Sequence, residues 1–357
     1  MNTNTVARCS RKPRRRNIAE WAGLGVTVLA FAVAWLFPAP ASAFDDTKTV
    51  LPADRAAENL VDAYLSQQHR RLARNDDRDS LIAAVLLGIT HDMGSHPFDG
   101  RDDVEARLAA KFGQDADALF ALALACQLQT RPCAHPEYHD ALVRIAPENA
   151  VNWLLLPNDA APSAAQLHAA ATAPTVDSEL RTANRILRAA LADQPAPASV
   201  RGVDPRELAA ALRREAVDTF PMPHYAAVLR MCKPPSNADR DDCLALGRHL
   251  IADRSGGIVS RMIGGTIVRR LAKGTPEAAA AKEMRRDYVW MSEQLDDSDG
   301  SWREQVQRDA IDLGDWVAYQ RAVERLGKSS TPPDGWVPAD PQALLLSEER
   351  TPQKPQQ

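Results

Sequence analysis

Apolar residues recur three and four positions apart in one run after another along this chain, the period of an amphipathic helix. Pro52 opens the first run, in which Leu60, Val61, Tyr64, Leu65 and Leu72 share a face. Asp79-Ser80 can cap the next, with Leu81, Ile82, Val85, Leu86 and Ile89, and Val104, Leu108 and Phe112 follow on a third. Leu119, Leu122 and Cys126 make a fourth face, and Tyr138, Leu142 and Ile145 a fifth. Pro147 is expected to start a short helix ended by Pro157, before segments around Leu167 and from Leu180 to Leu191. Beyond a Pro-, Ala- and Ser-rich stretch at 194–204, Pro205 begins a run with Leu208, Leu212, Ala216 and Phe220, and Pro223 another reaching Cys232. Cys243 to Ile251 and Ile258 to Leu271 continue the pattern, and Pro276 opens a long helix through Met284, Tyr288, Met291 and Leu295. One final helix is expected from Trp302 to Leu326.

These runs predict an all-α protein of about fourteen helices, packed as stacked helical hairpins because the connections are short. Composition agrees. Only 7 Phe, 7 Trp and 5 Tyr occur in 357 residues, too few aromatics for a β-rich core. The organisation read from the sequence is a leader at 1–43, a helical-hairpin region at 44–193, a linker at 194–204 and a second helical region at 205–326. A Pro- and Gln-rich tail at 327–357 is expected to be loosely docked or disordered.

The leader reads as a cleaved signal peptide. Arg8, Arg11, Lys12, Arg14, Arg15 and Arg16 form its basic region, Ala22 to Phe37 its apolar region, and Ala41-Ser42-Ala43 the cleavage site. Arg15-Arg16-Asn17-Ile18 resembles a twin-arginine signal in part, so general secretion and export of the folded chain both stay open. The mature chain is therefore expected in the periplasm or medium and not spanning a membrane. Without residues 1–43, which hold six basic side chains and Glu20, 37 basic and 46 acidic groups remain, a net charge of −9. Such a chain is a poor general binder of nucleic acid, which requires clustered Lys and Arg.

Four cysteines remain after cleavage, an even count that fits an oxidising compartment. The local pairs Cys126–Cys133 and Cys232–Cys243 each bracket a proline-bearing loop and are expected to staple two hairpins. Their spacings exceed those of a zinc site.

Leu142, Pro147, Trp153 and Leu156 carry the offsets of a tetratricopeptide helix junction, with Pro157 where that pattern has glycine. Over about one hairpin the chain thus resembles tetratricopeptide-like α-hairpin arrays; elsewhere it resembles exported helical proteins of bacteria. The resemblance implies a curved array whose common use is binding another protein.

His91-Asp92 followed by Gly94 resembles the His-Asp doublet of HD-domain metal phosphohydrolases. That resemblance implies a metal site completed by His69 upstream and Asp102 or Asp117 downstream, holding a cation that activates water. Ser95 stands where the family has lysine, and a helix end capped at Gly94 accounts for the same residues. Asp296-Asp297-Ser298-Asp299-Gly300 fails the calcium-loop register, since Leu295 and Val306 fall where carboxylates are required. Ser255-Gly256-Gly257 lies in no nucleophile elbow, and Gly264-Gly265 follows no strand. Arg269, Arg270, Lys273, Lys282, Arg285 and Arg286 make a basic region across two helices, suited to an anionic envelope polymer or an acidic patch of a partner.

No catalytic residue and no cofactor is assigned. The expectation is an interaction or scaffold module whose partner is an envelope protein. The alternatives are a phosphohydrolase centred on His91 and Asp92, or a glycan or small-ligand binder using Trp153, Trp290, Trp302 and Trp316.

Overall fold

The computed structural model describes residues 52–92, 101–129, 132–197, 203–218, 222–234, 239–253, 257–296 and 302–350. The leader at 1–43 and the Gly94-Ser95-His96 turn lie outside them. Among the described residues there are fourteen α-helices and no strand. The first eight are α1 (Pro52–Leu72), α2 (Arg78–Asp92), α3 (Arg101–Phe112), α4 (Ala116–Leu128), α5 (Glu137–Ile145), α6 (Ala164–Thr172), α7 (Leu180–Ala190) and α8 (Pro205–Asp218). The remainder are α9 (Ala226–Met231), α10 (Arg240–Ala252), α11 (Ile258–Leu271), α12 (Pro276–Asp296), α13 (Arg303–Leu313) and α14 (Asp315–Arg325). None is long and apolar enough to cross a membrane.

Local chemistry sets many of the boundaries. Pro52, Pro205 and Pro276 each occupy a first helical position, where the missing N–H would have no partner inside the helix. The Asp77 carboxylate accepts the Ser80 amide at 2.9 Å, and Asp115 accepts that of Ala118 at 3.0 Å, so α2 and α4 start under carboxylate caps. Ser163 and Gln166 form a reciprocal capping box on α6.

Three apolar clusters result. The first surrounds α2, on which Leu81 through Leu87 and Ile89 are all at most 2% exposed. A helix buried on every side needs neighbours on every side, and α1, α3, α4 and α7 supply them. Leu208, Leu212, Ala216 and Val217 of α8 return to this cluster. The second joins Leu167 and Ala170 of α6 to α9, α10, α11 and the start of α12. The third holds the end of α12 against α13 and α14. The clusters do not part at 194–204: α6 precedes that stretch but packs on α10, and α8 follows it but packs on α1.

Two expected helices are corrected. The run from Trp302 to Leu326 is broken at Gly314, whose φ of +80° folds α13 and α14 into a hairpin. The segment after Pro147 forms turns and a single 3-10 turn, Asn152–Leu154, in place of an α-helix. Its buried asparagines explain this: Asn149 Oδ1 accepts from Val151 N at 3.2 Å and Asp177 N at 2.9 Å, and Asn152 Nδ2 donates to Ala146 O at 3.0 Å. Such side-chain bonds offer the backbone an alternative to the helical ladder.

The tail also departs from expectation. Residues 327–350 form an ordered strap over α11 and α12, with 3-10 turns at Pro341–Leu344 and Ser347–Glu349. Composition misses it because the strap is held by polar contacts to those helices and makes no periodic apolar face of its own.

Candidate functional site

Cys126, Cys133, Cys232 and Cys243 stand in two pairs at disulfide distance. Cys126 faces Cys133 with Cα atoms 5.1 Å apart, and Cys232 faces Cys243 at 5.5 Å. The second pair joins the end of α9 to α10, inside the second apolar cluster. The first ties α4 to the loop leading into α5.

The residues of the His-Asp reading are spread over separate elements. His69, on α1, is 2% exposed, and its ring lies 3.8 Å from the point where a Cβ at Gly88 would stand. Gly88 is one turn before His91 on α2, and the side chains of His91 and Asp92 lie outside the described residues. Asp102 sits in the first turn of α3. Asp117 is engaged by Arg78, which also donates to Asp115 at 2.8 and 3.0 Å. No group of three metal-ligating side chains occurs among the described residues.

Between α2, α4 and α7 lies a narrow crevice. Ile82, Leu86, Phe120 and Ile186 line it, together with Asp117 and Glu179. Glu179 precedes α7 with φ of +53°, and burial, reinforced by Asp177 and Asp117, pushes its carboxyl up to about 7. A carboxyl raised in the fold stabilises it fully below the ordinary carboxylate range, and that contribution is lost as pH rises through 7. Glu179→Gln is therefore expected to leave stability at about pH 3.5 nearly unchanged and to raise it by about 2 kcal/mol at about pH 8. Thermal melts at the two pH values check this; an equal change at both would remove ionisation as the cause.

The indole N–H groups of three of the four tryptophans considered for a glycan point into the protein's own backbone. Trp153 donates to Pro147 O at 2.8 Å, Trp290 to Ser329 O at 2.8 Å and Trp302 to Leu295 O at 3.0 Å. The guanidinium of Arg261 lies over the Trp316 ring, 5.2 Å from its centroid.

The strap covers the four arginines of the basic region. Arg270 grips Glu348 with two nitrogens, at 2.7 and 3.0 Å, while Arg269 donates to Glu349 at 2.8 Å and to Leu344 O at 3.0 Å. Arg285 donates to Ala343 O at 2.7 Å and Arg286 to Pro333 O at 3.1 Å. Trp290 meets Trp336 edge-on at 5.4 Å. Arg269 and Arg285 are 9% and 8% exposed. Burial brings the Arg285 guanidinium down to about 10, while its bidentate partner Arg270 holds Glu348 down at about 2. Lys273 and Lys282 of the same basic region point to solvent. A main-chain carbonyl leaves no mark in a sequence, but the Glu348-Glu349 pair after three leucines was a legible complement to these arginines.

Compared with known protein families, with curated proteins and with solved structures, the chain finds a match in none of the three.

Proposed function

We propose that the chain is an exported interaction module of the cell envelope, periplasmic or secreted, in which helical hairpins form a scaffold for another protein. The observation that carries the reading is the α11–α12 face, where buried arginines and a tryptophan bind a turn-rich segment mainly through its backbone carbonyls and two carboxylates. A face that holds one polypeptide segment in this way is chemically equipped to hold another. The leader and the two cysteine pairs support an oxidising destination. Packing of successive helices on one another supports a tetratricopeptide-like stack of hairpins.

The test places a photo-reactive residue at the exposed Lys282 of the full chain and irradiates cells that export it. The expected result is a mature chain beginning at Phe44, with no reactive thiol and a discrete adduct to one envelope protein. A chain that keeps its leader in the cytoplasm defeats the export reading. A pure, adduct-free chain carrying one equivalent of metal, lost in His91→Ala, would replace the scaffold with the phosphohydrolase.

A further inference from the structure

The strap has the anatomy of a bound ligand. Besides the Trp290 contacts to Ser329 O and Trp336, its polar contacts with α11 and α12 include three groups. Carboxylates of Glu348 and Glu349 meet Arg270 and Arg269; carbonyls of Pro333, Ala343 and Leu344 meet Arg286, Arg285 and Arg269; and Ala339 N donates to Glu293 at 2.7 Å. Leu346, 4% exposed, is its buried large apolar side chain among the described residues. Met262, Gly265, Thr266, Ala281 and Met284, with Arg269 and Arg285, line the closed seam between α11 and α12.

That balance separates the strap from the helices below it. Helices here are fixed by apolar area, which no solute of ordinary size displaces. The strap is fixed by charge-assisted bonds and backbone carbonyls, which a competitor of like chemistry reproduces. Segments with few buried apolar contacts open at a small fraction of the global unfolding free energy. Once the strap is gone, Arg269, Arg270 and Arg285 lose these acceptors and stand as a cationic groove. Buried cations strongly favour a replacement partner that brings acceptors of its own.

We propose that residues 341–349 are an intramolecular latch on a peptide-binding groove between α11 and α12, whose partner is an acidic segment of another protein with a leucine two and three positions before a pair of carboxylates. This rests on the reading of the chain as an interaction module and supplies the chemistry of its partner. The spacing is that of Leu346, Glu348 and Glu349. The latch makes binding conditional: a partner has to outcompete a segment tethered at an effective concentration on the order of millimolar.

The test titrates a fluorescein-labelled synthetic peptide of residues 339–350 into the full chain and into its double variant Glu348→Lys/Glu349→Lys, read by anisotropy. Charge reversal unseats the strap, so the variant is expected to bind the peptide at least tenfold more tightly than the unaltered chain. Raising the salt is expected to weaken that binding, and a peptide with both glutamates replaced by lysine is expected not to bind. Hydrogen exchange on the variant reads the strap directly. A strap that stays protected, or one that opens without any gain in peptide binding, overturns the proposal.

Should the double variant fail to fold, a specific protease site placed after Lys328 lets the strap be cut in the folded chain. Excess labelled peptide is then expected to replace the fragment; a fragment that stays bound through gel filtration against that excess overturns the latch. Chains that pair by trading straps would assign the groove to self-association and overturn the partner named here. If no peptide binds while Lys282 still cross-links an envelope protein, the latch fails and the interaction module stands.

Discussion

Gly264→Val is expected to cost about 3 kcal/mol and to lower the melting temperature by roughly 6–12 °C. The reason is backbone contact. A Cβ at Gly264 would stand 2.5 Å from Gly247 O, 2.8 Å from Leu250 Cβ and 2.9 Å from Ile251 N. A backbone oxygen and amide cannot swing aside as a side-chain tip can, so α10 and α11 have to separate. The two helices meet through paired glycines, since a Cβ at Gly247 would in turn lie 3.2 Å from Gly264 O. Helix propensity favours alanine over glycine by about 1 kcal/mol, so Gly264→Ala is expected to be milder than valine yet still destabilising. The neighbouring glycine is the control. A Cβ at Gly265 would meet the terminal methyl of Met284 at 2.9 Å, the far end of a flexible side chain that can give way. Gly265→Ala is therefore expected to be near neutral or slightly stabilising. Two adjacent glycines with opposite outcomes in the same melt would establish the close approach; equal losses at both would refute it.

Loss of the Cys232–Cys243 bridge is expected to cost about 3 kcal/mol, the chain entropy released when a loop of this length is no longer closed. Both cysteines are 2% exposed and belong to the second apolar cluster, so the clean comparison is Cys232→Ala/Cys243→Ala in urea denaturation. The bridge matters locally as well. α9 is short, and the bridge fixes its end to α10, which packs on α6 and α11. Exposure predicts the order of reduction: Cys133 is half-buried, so rising reductant is expected to yield two alkylatable thiols from Cys126 and Cys133 before four. A single step from none to four would mean that the two bridges open only with the whole fold.

Most of the helices were legible because apolar period and proline punctuation agree. Pro52, Pro205 and Pro276 mark starts, and the faces read at Leu81 to Ile89 and at Ile258 to Leu271 are buried. The break at Gly314 was hidden because the apolar spacing runs through it on both sides. The turn after Pro147 was hidden because Asn149 and Asn152 act through bonds to residues 177 and 146, one of them distant in sequence. For the candidate site, the arginines of α11 and α12 were visible as a basic region, while the Glu348-Glu349 pair that meets them lay in a tail expected to be loosely docked or disordered. What joins them is a fold-back of about 60 to 80 residues, and nothing in local spacing encodes which surface a polar segment returns to. The His-Asp doublet was legible as residues only; the two helices that would bring His69 towards it are placed by packing at Gly88.

The interleaving of α6 and α8 across residues 194–204 bears on the order in which the chain can acquire its structure. When residues up to 197 have emerged, α6 still lacks α10, its later packing partner, and α1 still lacks α8. Neither cluster can close on the first half alone, so each half carries an apolar surface whose cover is encoded in the other. A nascent chain halted there would present both surfaces at once, the condition under which aggregation competes with folding. The Pro- and Ala-rich stretch is thus a crossing point between two cores that mature together, and a cut at that point should yield two fragments whose solubility depends on each other's presence.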